Sequence, residues 1–251
     1  MKILVCTKAI NENPGEIHLD ETRMNLFDGF ALEQGLLFRD TLKESIVDVI
    51  CVGTENASEI LTRALGMGAD QAIHINSEAP PLYDPFYTAS LIAAHARHKA
   101  YDLILTGVMS EDLMQGQVGP MVAELLSVPC ATSVISAHLS REGIDLEREL
   151  EGGARESWEF VLPCVLTVQS GINTPRYPSL SCMLRAARNP ATCIQAETLN
   201  PPEMRQVITR VSVPEKQRNA LVLGGTSEEK ALKLFKILKE KGFLRENKEM
   251  V

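Results

Sequence analysis

YDLILTGVMSEDLMQGQVGPMVAELL, residues 101–126, passes from a short apolar run into a polar loop and from the loop into an amphipathic segment. Leu103–Thr106 is too short for a helix and is bounded by Gly107, which predicts a buried parallel strand ending at that glycine. Val118, Met121, Val122, Leu125 and Leu126 recur at i, i+3, i+4, i+7 and i+8, so the following helix has one apolar face to lay on a sheet. Pro120 is compatible only with that helix's first turn, where its missing N–H costs no hydrogen bond. The loop between them carries Ser110, Asp112, Gln115, Gly116 and Gln117 to the carboxyl end of a strand and the amino end of a helix. Ligands of open α/β sheets sit in that crevice. Unpaired N–H groups and the positive end of the helix dipole favour a phosphate there. Gly116 and Gly119 allow close backbone approach, and Asp112 can accept from a ribose hydroxyl. An ordinary strand, loop and helix without a ligand has the same pattern.

Upstream, Lys2–Cys6 is an apolar strand opening at Thr7, Lys8 and Ala9 into a polar loop, KAINENPGE, the first candidate ligand loop. NLFD at 25–28 precedes a helix with Phe30, Ala31, Gln34, Leu37 and Phe38 at helical spacing, and either Asn25 or Asp28 is a candidate cap. Val47–Val52 is a second buried strand closed by Gly53. A helix with Ser58 as N-cap and Ile60, Leu61, Ala64 and Leu65 as its stripe follows, ending at Gly66 and Gly68 before a strand at 72–75. Residues 84–98 form a further helix with Asp84 as N-cap and Pro85 at its first position. His95 and His98 lack further ligands for a metal, so no metal site is assigned and both are expected at the surface.

Alternating β and α segments predict an α/β fold, a doubly wound, mostly parallel sheet covered on both faces. Segments at 131–163, broken by Arg141-Glu142-Gly143 and Gly152-Gly153, predict a β-hairpin excursion, and 165–168 returns to a buried strand. Residues 195–220 lack a hydrophobic pattern. The chain finishes with a C-terminal helical arm, in which Thr226 and Glu229 have capping-box spacing and Gly242 supplies the stop. The expected division is 1–190 for the nucleotide-binding domain and 191–251 for the arm.

A chain of 251 residues carrying 33 acidic and 25 basic side chains has a net charge of −8, which argues against nucleic acid or an anionic membrane as principal partner. Its six cysteines show no C-x-x-C spacing and read as small hydrophobes in a reducing compartment. MKILVC at the start has no signal-peptide character and no apolar run is long enough for a bilayer. A cytoplasmic location without membrane insertion is expected. Dinucleotide G-x-G-x-x-G, P-loop, H-E-x-x-H and serine-elbow patterns are absent, as is any nucleophile and base pair, so no catalytic residue is assigned.

Six pieces in order resemble the beta subunit of electron transfer flavoprotein: VCTK at 5–8, M-N-x-F-D at 24–28, RALGMGAD at 63–70, D-L-I-L-T-G…D…Q-V-G-P at 102–120, EGG at 151–153 and N-x-P-R-Y-P-S-L at 173–180. The resemblance implies an electron carrier between dehydrogenases of the acyl-CoA dehydrogenase type and a downstream acceptor, without catalytic side chains of its own. It implies a heterodimer with an alpha subunit that carries the redox-active FAD. The nucleotide contacts implied for this chain are Ala9, Asn25, Phe27, Gly107, Ser110, Asp112, Gln117 and Val118, with acyl-CoA dehydrogenase docking near Leu180. The arm is implied to wrap the alpha subunit, whereas its pattern alone favours packing on its own sheet. Ordinary members hold AMP here; electron-bifurcating members hold a second FAD that accepts hydride from NADH, and Asp84 and Thr88 resemble their D-x-x-x-T near the diphosphate. Both ligands remain open on the sequence. The chain departs from the family's usual pattern at Leu26, in the cradle before Asp112, and at Ser181-Cys182. A free-standing nucleotide-binding regulator or hydrolase of the same architecture is the rival from another class.

Overall fold

The computed structural model describes residues 1–11, 22–77, 84–206, 209–210 and 220–244. The chain divides into two compact units, Met1–Arg210 and Val211–Val251. In the first, β1 (Lys2–Thr7) lies mid-sheet, parallel to β4 (Ile46–Gly53) and β6 (Leu103–Gly107). A short antiparallel ribbon of β2 (Ala9–Asn11) and β3 (Thr22–Met24) occupies part of what the sequence predicts as loop. The main path continues through α1 (Leu26–Thr41), α2 (Ala57–Met67), β5 (Gln71–Asn76), α3 (Pro85–Ala96), α4 (Val118–Leu126), β7 (Cys130–Leu139), β8 (Ile144–Glu149), β9 (Arg155–Phe160), β10 (Cys164–Val168), α5 (Leu180–Ala186) and β11 (Thr192–Gln195).

The nine-stranded sheet runs β11-β5-β4-β1-β6-β10-β7-β8-β9, with only the β7-β8-β9 meander antiparallel. From β1 the chain steps outward through β4 to β5, then α3 returns it to β6 on the other side of β1. That reversal places a crevice at the carboxyl ends of β1 and β6, where doubly wound sheets bind ligands. The expected α/β fold and hairpin excursion are present.

Alternation along the strands sends Ile3, Val5, Val47 and Val49 to one face, under α1 and α2, and Leu4, Cys6, Ile50 and Val52 to the other, under α3 and α4. Fully burying side chains such as Leu32, Leu36 and Leu61 contributes about 1.5–3 kcal/mol each. Gly35 brings α1 onto the sheet: a Cβ there would lie 3.3 Å from Val5 and 3.4 Å from Leu105. The buried stripe of α1 is Ala31, Leu32, Gly35, Leu36 and Phe38, and the predicted Leu37 is exposed.

Other local expectations change. The segment NLFD lies largely inside α1, because the helix starts at Leu26. Asn56 rather than Ser58 occupies the N-cap position of α2, without a side-chain cap. The third helix stops at Ala96, so His95 and His98 do not share a helix face. His95 is buried beside the Tyr101 ring, with centroids 6.4 Å apart, and only His98 is exposed. All six cysteines are free thiols: Cys6, Cys51 and Cys164 are buried and Cys193 is exposed.

In the second unit α6 (Ser227–Glu240) carries the predicted capping box. Thr226 Oγ1 accepts from Glu229 N at 3.3 Å, and the Glu229 carboxylate accepts from Thr226 N at 3.0 Å. Gly242 follows at φ +75°. No side chain of α6 is buried. Among the described residues no helix is long and apolar enough to cross a membrane.

Candidate nucleotide site

Cys6, Thr7 and Lys8 at the end of β1 and Thr106–Ser110 at the end of β6 line an open cleft. Leu113 and Gln115–Gly119 close one side, and Pro85, Thr88 and Ile92 of α3 another. Two helix amino ends therefore face one space; that of α4 has no side-chain cap for its first-turn N–H groups, whereas Asp84 caps that of α3.

The cleft is held by Asp28, a carboxylate in the first turn of α1. Its Oδ2 accepts from Lys8 N at 2.7 Å and its Oδ1 from Gly107 N at 3.1 Å, so one buried side chain ties together the ends of both strands at the switch point. Burial pushes its carboxyl up to about 7, against the lowering effect of Asn25 and the two main-chain donors. Gly107 has no room for a side chain: a Cβ would lie 2.5 Å from Asp28 Oδ1 and 2.7 Å from Phe27 Cβ. Gly119 is equally confined, its Cβ position being 2.6 Å from Thr167 Cγ2 and 2.7 Å from Thr106 Oγ1, which lets the first turn of α4 sit on the strand ends. Gly116 has φ +63°, a left-handed backbone that glycine adopts without strain.

Asn25 stands at the N-cap position of α1 without capping it. Its amide instead staples the loop after β6: Nδ2 donates to Met109 O at 3.0 Å and Oδ1 accepts from Glu111 N at 3.1 Å. The α1 amino end is covered by the Glu111 carboxylate, which accepts from Leu26 N at 2.8 Å and from Arg23 at 2.7 and 3.2 Å. The Arg23 guanidinium holds Glu111 below its ordinary carboxyl range. Lys8 Nζ donates to both oxygens of Asp112, at 2.8 and 2.7 Å, and to Ser110 Oγ at 3.4 Å. Partial burial opposes ionisation of Asp112, but these hydrogen bonds keep its carboxyl below the ordinary value.

Of the residues singled out in the sequence, Asn25, Thr88, Gly107, Ser110, Gln117 and Val118 line the cleft together. Ala9, Phe27, Asp84 and Asp112 stand outside the lining. Ala9 belongs to the β2 ribbon, Phe27 backs Gly107, and Asp112 is taken by Lys8. Asp84 caps α3, its Oδ1 accepting from Phe86 N at 2.9 Å and Tyr87 N at 3.1 Å, while its Oδ2 accepts from Arg205 N and, at 3.1 Å, from Gln206 N. Although burial opposes it, these four donors lower its pKa and leave both oxygens engaged. Of the two residues that organise the cleft, Lys8 opens the loop KAINENPGE that the sequence offers as a ligand loop, part of which lies outside the described residues, whereas Asp28 reads in the sequence only as a candidate cap.

Residues 17–203 match the family described as Electron transfer flavoprotein domain. The chain is 31% identical to Electron transfer flavoprotein subunit beta of Bacillus subtilis (strain 168), over 91% of this chain and 88% of that protein. It is 32% identical to Electron transfer flavoprotein subunit beta of Methylophilus methylotrophus, over 96% and 98%. A third relative, Caffeyl-CoA reductase-Etf complex subunit CarD of Acetobacterium woodii, is 31% identical over 96% and 99%.

Proposed function

Because this chain belongs to the electron transfer flavoprotein beta-subunit family, we propose that it pairs with an alpha subunit and holds an adenine nucleotide, AMP, in the cleft between β1 and β6. The observation that carries this reading is the Asp28 clasp, which fixes both strand ends around a space bordered by two helix amino ends. The residues present fit such a group. Gly119 brings the N–H groups of α4 to the cleft wall, the Gly116 turn leaves the main chain exposed to a phosphate, and Ser110 and Gln117 supply polar side chains.

The flavin shared with the alpha subunit supplies the redox chemistry when bound. This chain's part is to bind and orient, and it carries no catalytic side chain of its own. Electrons come from a dehydrogenase of the acyl-CoA type that docks near Leu180, whose side chain is 76% exposed. The family's pairing with an alpha subunit, together with six free thiols, supports a cytoplasmic heterodimer.

A second reading, a bifurcating protein with a second FAD in the cleft, is favoured by one observation. Pro85, Thr88 and Ile92 of α3 line the same cleft as the first turn of α4, so a ligand larger than AMP would meet the side chains of a second helix there, the N–H groups of Phe86 and Tyr87 being held by Asp84. Denaturing the purified heterodimer and quantifying what is released separates the readings. One flavin with one AMP per heterodimer is the expected result, and two flavins select the second reading. Release of neither AMP nor a second flavin overturns the cleft assignment.

A further inference from the structure

The segment that leads to the exposed Leu180 is bound to α1. Arg176 places its guanidinium on Glu33 of α1, with Nε 3.1 and 2.9 Å from Oε1 and Oε2 and Nη2 2.9 Å from Oε1. Its main-chain N donates to Glu33 Oε2 at 2.9 Å, and Nη2 also reaches Asp40 Oδ2 at 2.9 Å. Glu33 is 5% exposed, so a buried carboxylate meets the one side chain whose planar fork can satisfy both its oxygens. Three residues earlier, Asn173 Nδ2 donates to Phe30 O at 3.1 Å and to Gln34 Oε1 at 3.2 Å, again on α1. Downstream, α5 packs on α2 at Gly66, where a Cβ would run into Met183, and Arg63 lies over the Tyr177 ring at 5.2 Å.

This scaffold presents Leu180 and Leu184, 76% and 60% exposed and four residues apart on α5, hence on one face. Arg185 and Arg188 accompany them, and no acidic residue occurs from Asn173 to Gln195 in a chain of net charge −8. The surface suits an acidic partner with an apolar socket.

We propose that Arg176 is a positioning residue for docking: by gripping Glu33 and Asp40 it fixes the pose in which Leu180 and Leu184 meet an acidic dehydrogenase of the acyl-CoA type. This rests on the docking reading above. The clamp acts through geometry, because Arg176 turns inward onto α1 and the leucines follow from where it holds the chain.

The test uses the complete heterodimer and an acyl-CoA dehydrogenase reduced by its acyl-CoA, with the transfer rate followed against heterodimer concentration. Arg176→Met is expected to raise the half-saturating concentration about tenfold, which is about 1.4 kcal/mol of docking free energy, at an unchanged maximal rate. Arg176→Lys, which keeps the charge without the fork, recovers only part of it. Leu180→Ala is run beside them. If Leu180→Ala weakens docking while Arg176→Met stays within twofold of the parent, the clamp is refuted and the docking surface stands. If both are without effect, or the parent takes no electrons from the dehydrogenase, the docking reading falls and the clamp with it. A loss of maximal rate and nucleotide content at unchanged half-saturation assigns Arg176 a purely structural part and also overturns the proposal.

Discussion

The two edges of the sheet each bury an aspartate, and they treat it differently. At the carboxyl edge both Asp28 oxygens accept main-chain N–H groups, from Lys8 and Gly107, and thereby pull two loops into place. At the amino edge Asp48 is held by side chains. Tyr101 OH donates to its Oδ2 at 2.8 Å, and Lys2 Nζ lies 3.9 Å from the same oxygen and 4.6 Å from the Tyr101 ring centroid. Among the described residues, Asp48 Oδ1 and the neighbouring His95 Nε2 are buried without a hydrogen-bond partner. Asp28 shapes the cleft because its main-chain partners are the two strand ends that border it, whereas Asp48 is bonded to side chains and is not part of the cleft lining. Damage to the first should therefore empty the cleft, and damage to the second should cost stability alone.

The severest test is Gly107→Ala, which forces a methyl group against Asp28 and Phe27. It should destabilise the heterodimer by about 3 kcal/mol in urea unfolding and strip the nucleotide from the purified protein. Asp28→Asn comes next. Its amide NH2 must face one of two main-chain donors, at a cost of about 1–3 kcal/mol, with reduced nucleotide content. The same variant tests the titration. The folded pKa of about 7 lies above the unfolded value of about 3.9, so the folded chain binds the extra proton between them. The contribution of Asp28 is fully present below the unfolded value and is lost as pH rises through 7. Parent stability relative to Asp28→Asn should therefore fall from pH 4 to pH 8, and a flat difference would remove the assignment.

At the other edge, Tyr101→Phe removes the donor to Asp48 and should cost about 1–2 kcal/mol with nucleotide content unchanged. Nucleotide loss in that variant would break the contrast between the edges. Smallest is Lys8→Met, which removes a partly exposed pair with Asp112. It should shift stability by less than about 1 kcal/mol while weakening retention of the nucleotide in salt washes.

Much of the architecture was readable because the strands at 3–6, 47–52 and 103–106 are short apolar runs closed by polar or glycine residues, and these signals are local. The Gly107–Gln117 loop was readable for the same reason, since glycines and polar side chains between a strand and an amphipathic helix announce a crevice. What escaped depends on contacts distant in sequence. Inside an amphipathic pattern Asp28 reads as a cap, and nothing local says that its partners are Lys8 and Gly107, 20 and 79 residues away. Asp84 has the right spacing to Thr88, yet its second oxygen is claimed by the main chain at 205–206. His95 looks like a surface residue until Tyr101 is brought alongside it.

The distribution of thiols gives the protein an intrinsic reporter. Burial pushes Cys51 and Cys164 up to about 12 and Cys130 up to about 11, and drives Cys6 upward as well, so these four resist alkylation at neutral pH. Hydrogen bonds from Ser179 and Arg185 lower the Cys182 thiol, which sits on the same short helix as Leu180 and Leu184. A maleimide dye would thus mark that helix, with exposed Cys193 as the one competing position to mutate away. A fluorophore there would dim or brighten as a dehydrogenase lands, with no engineered cysteine needed.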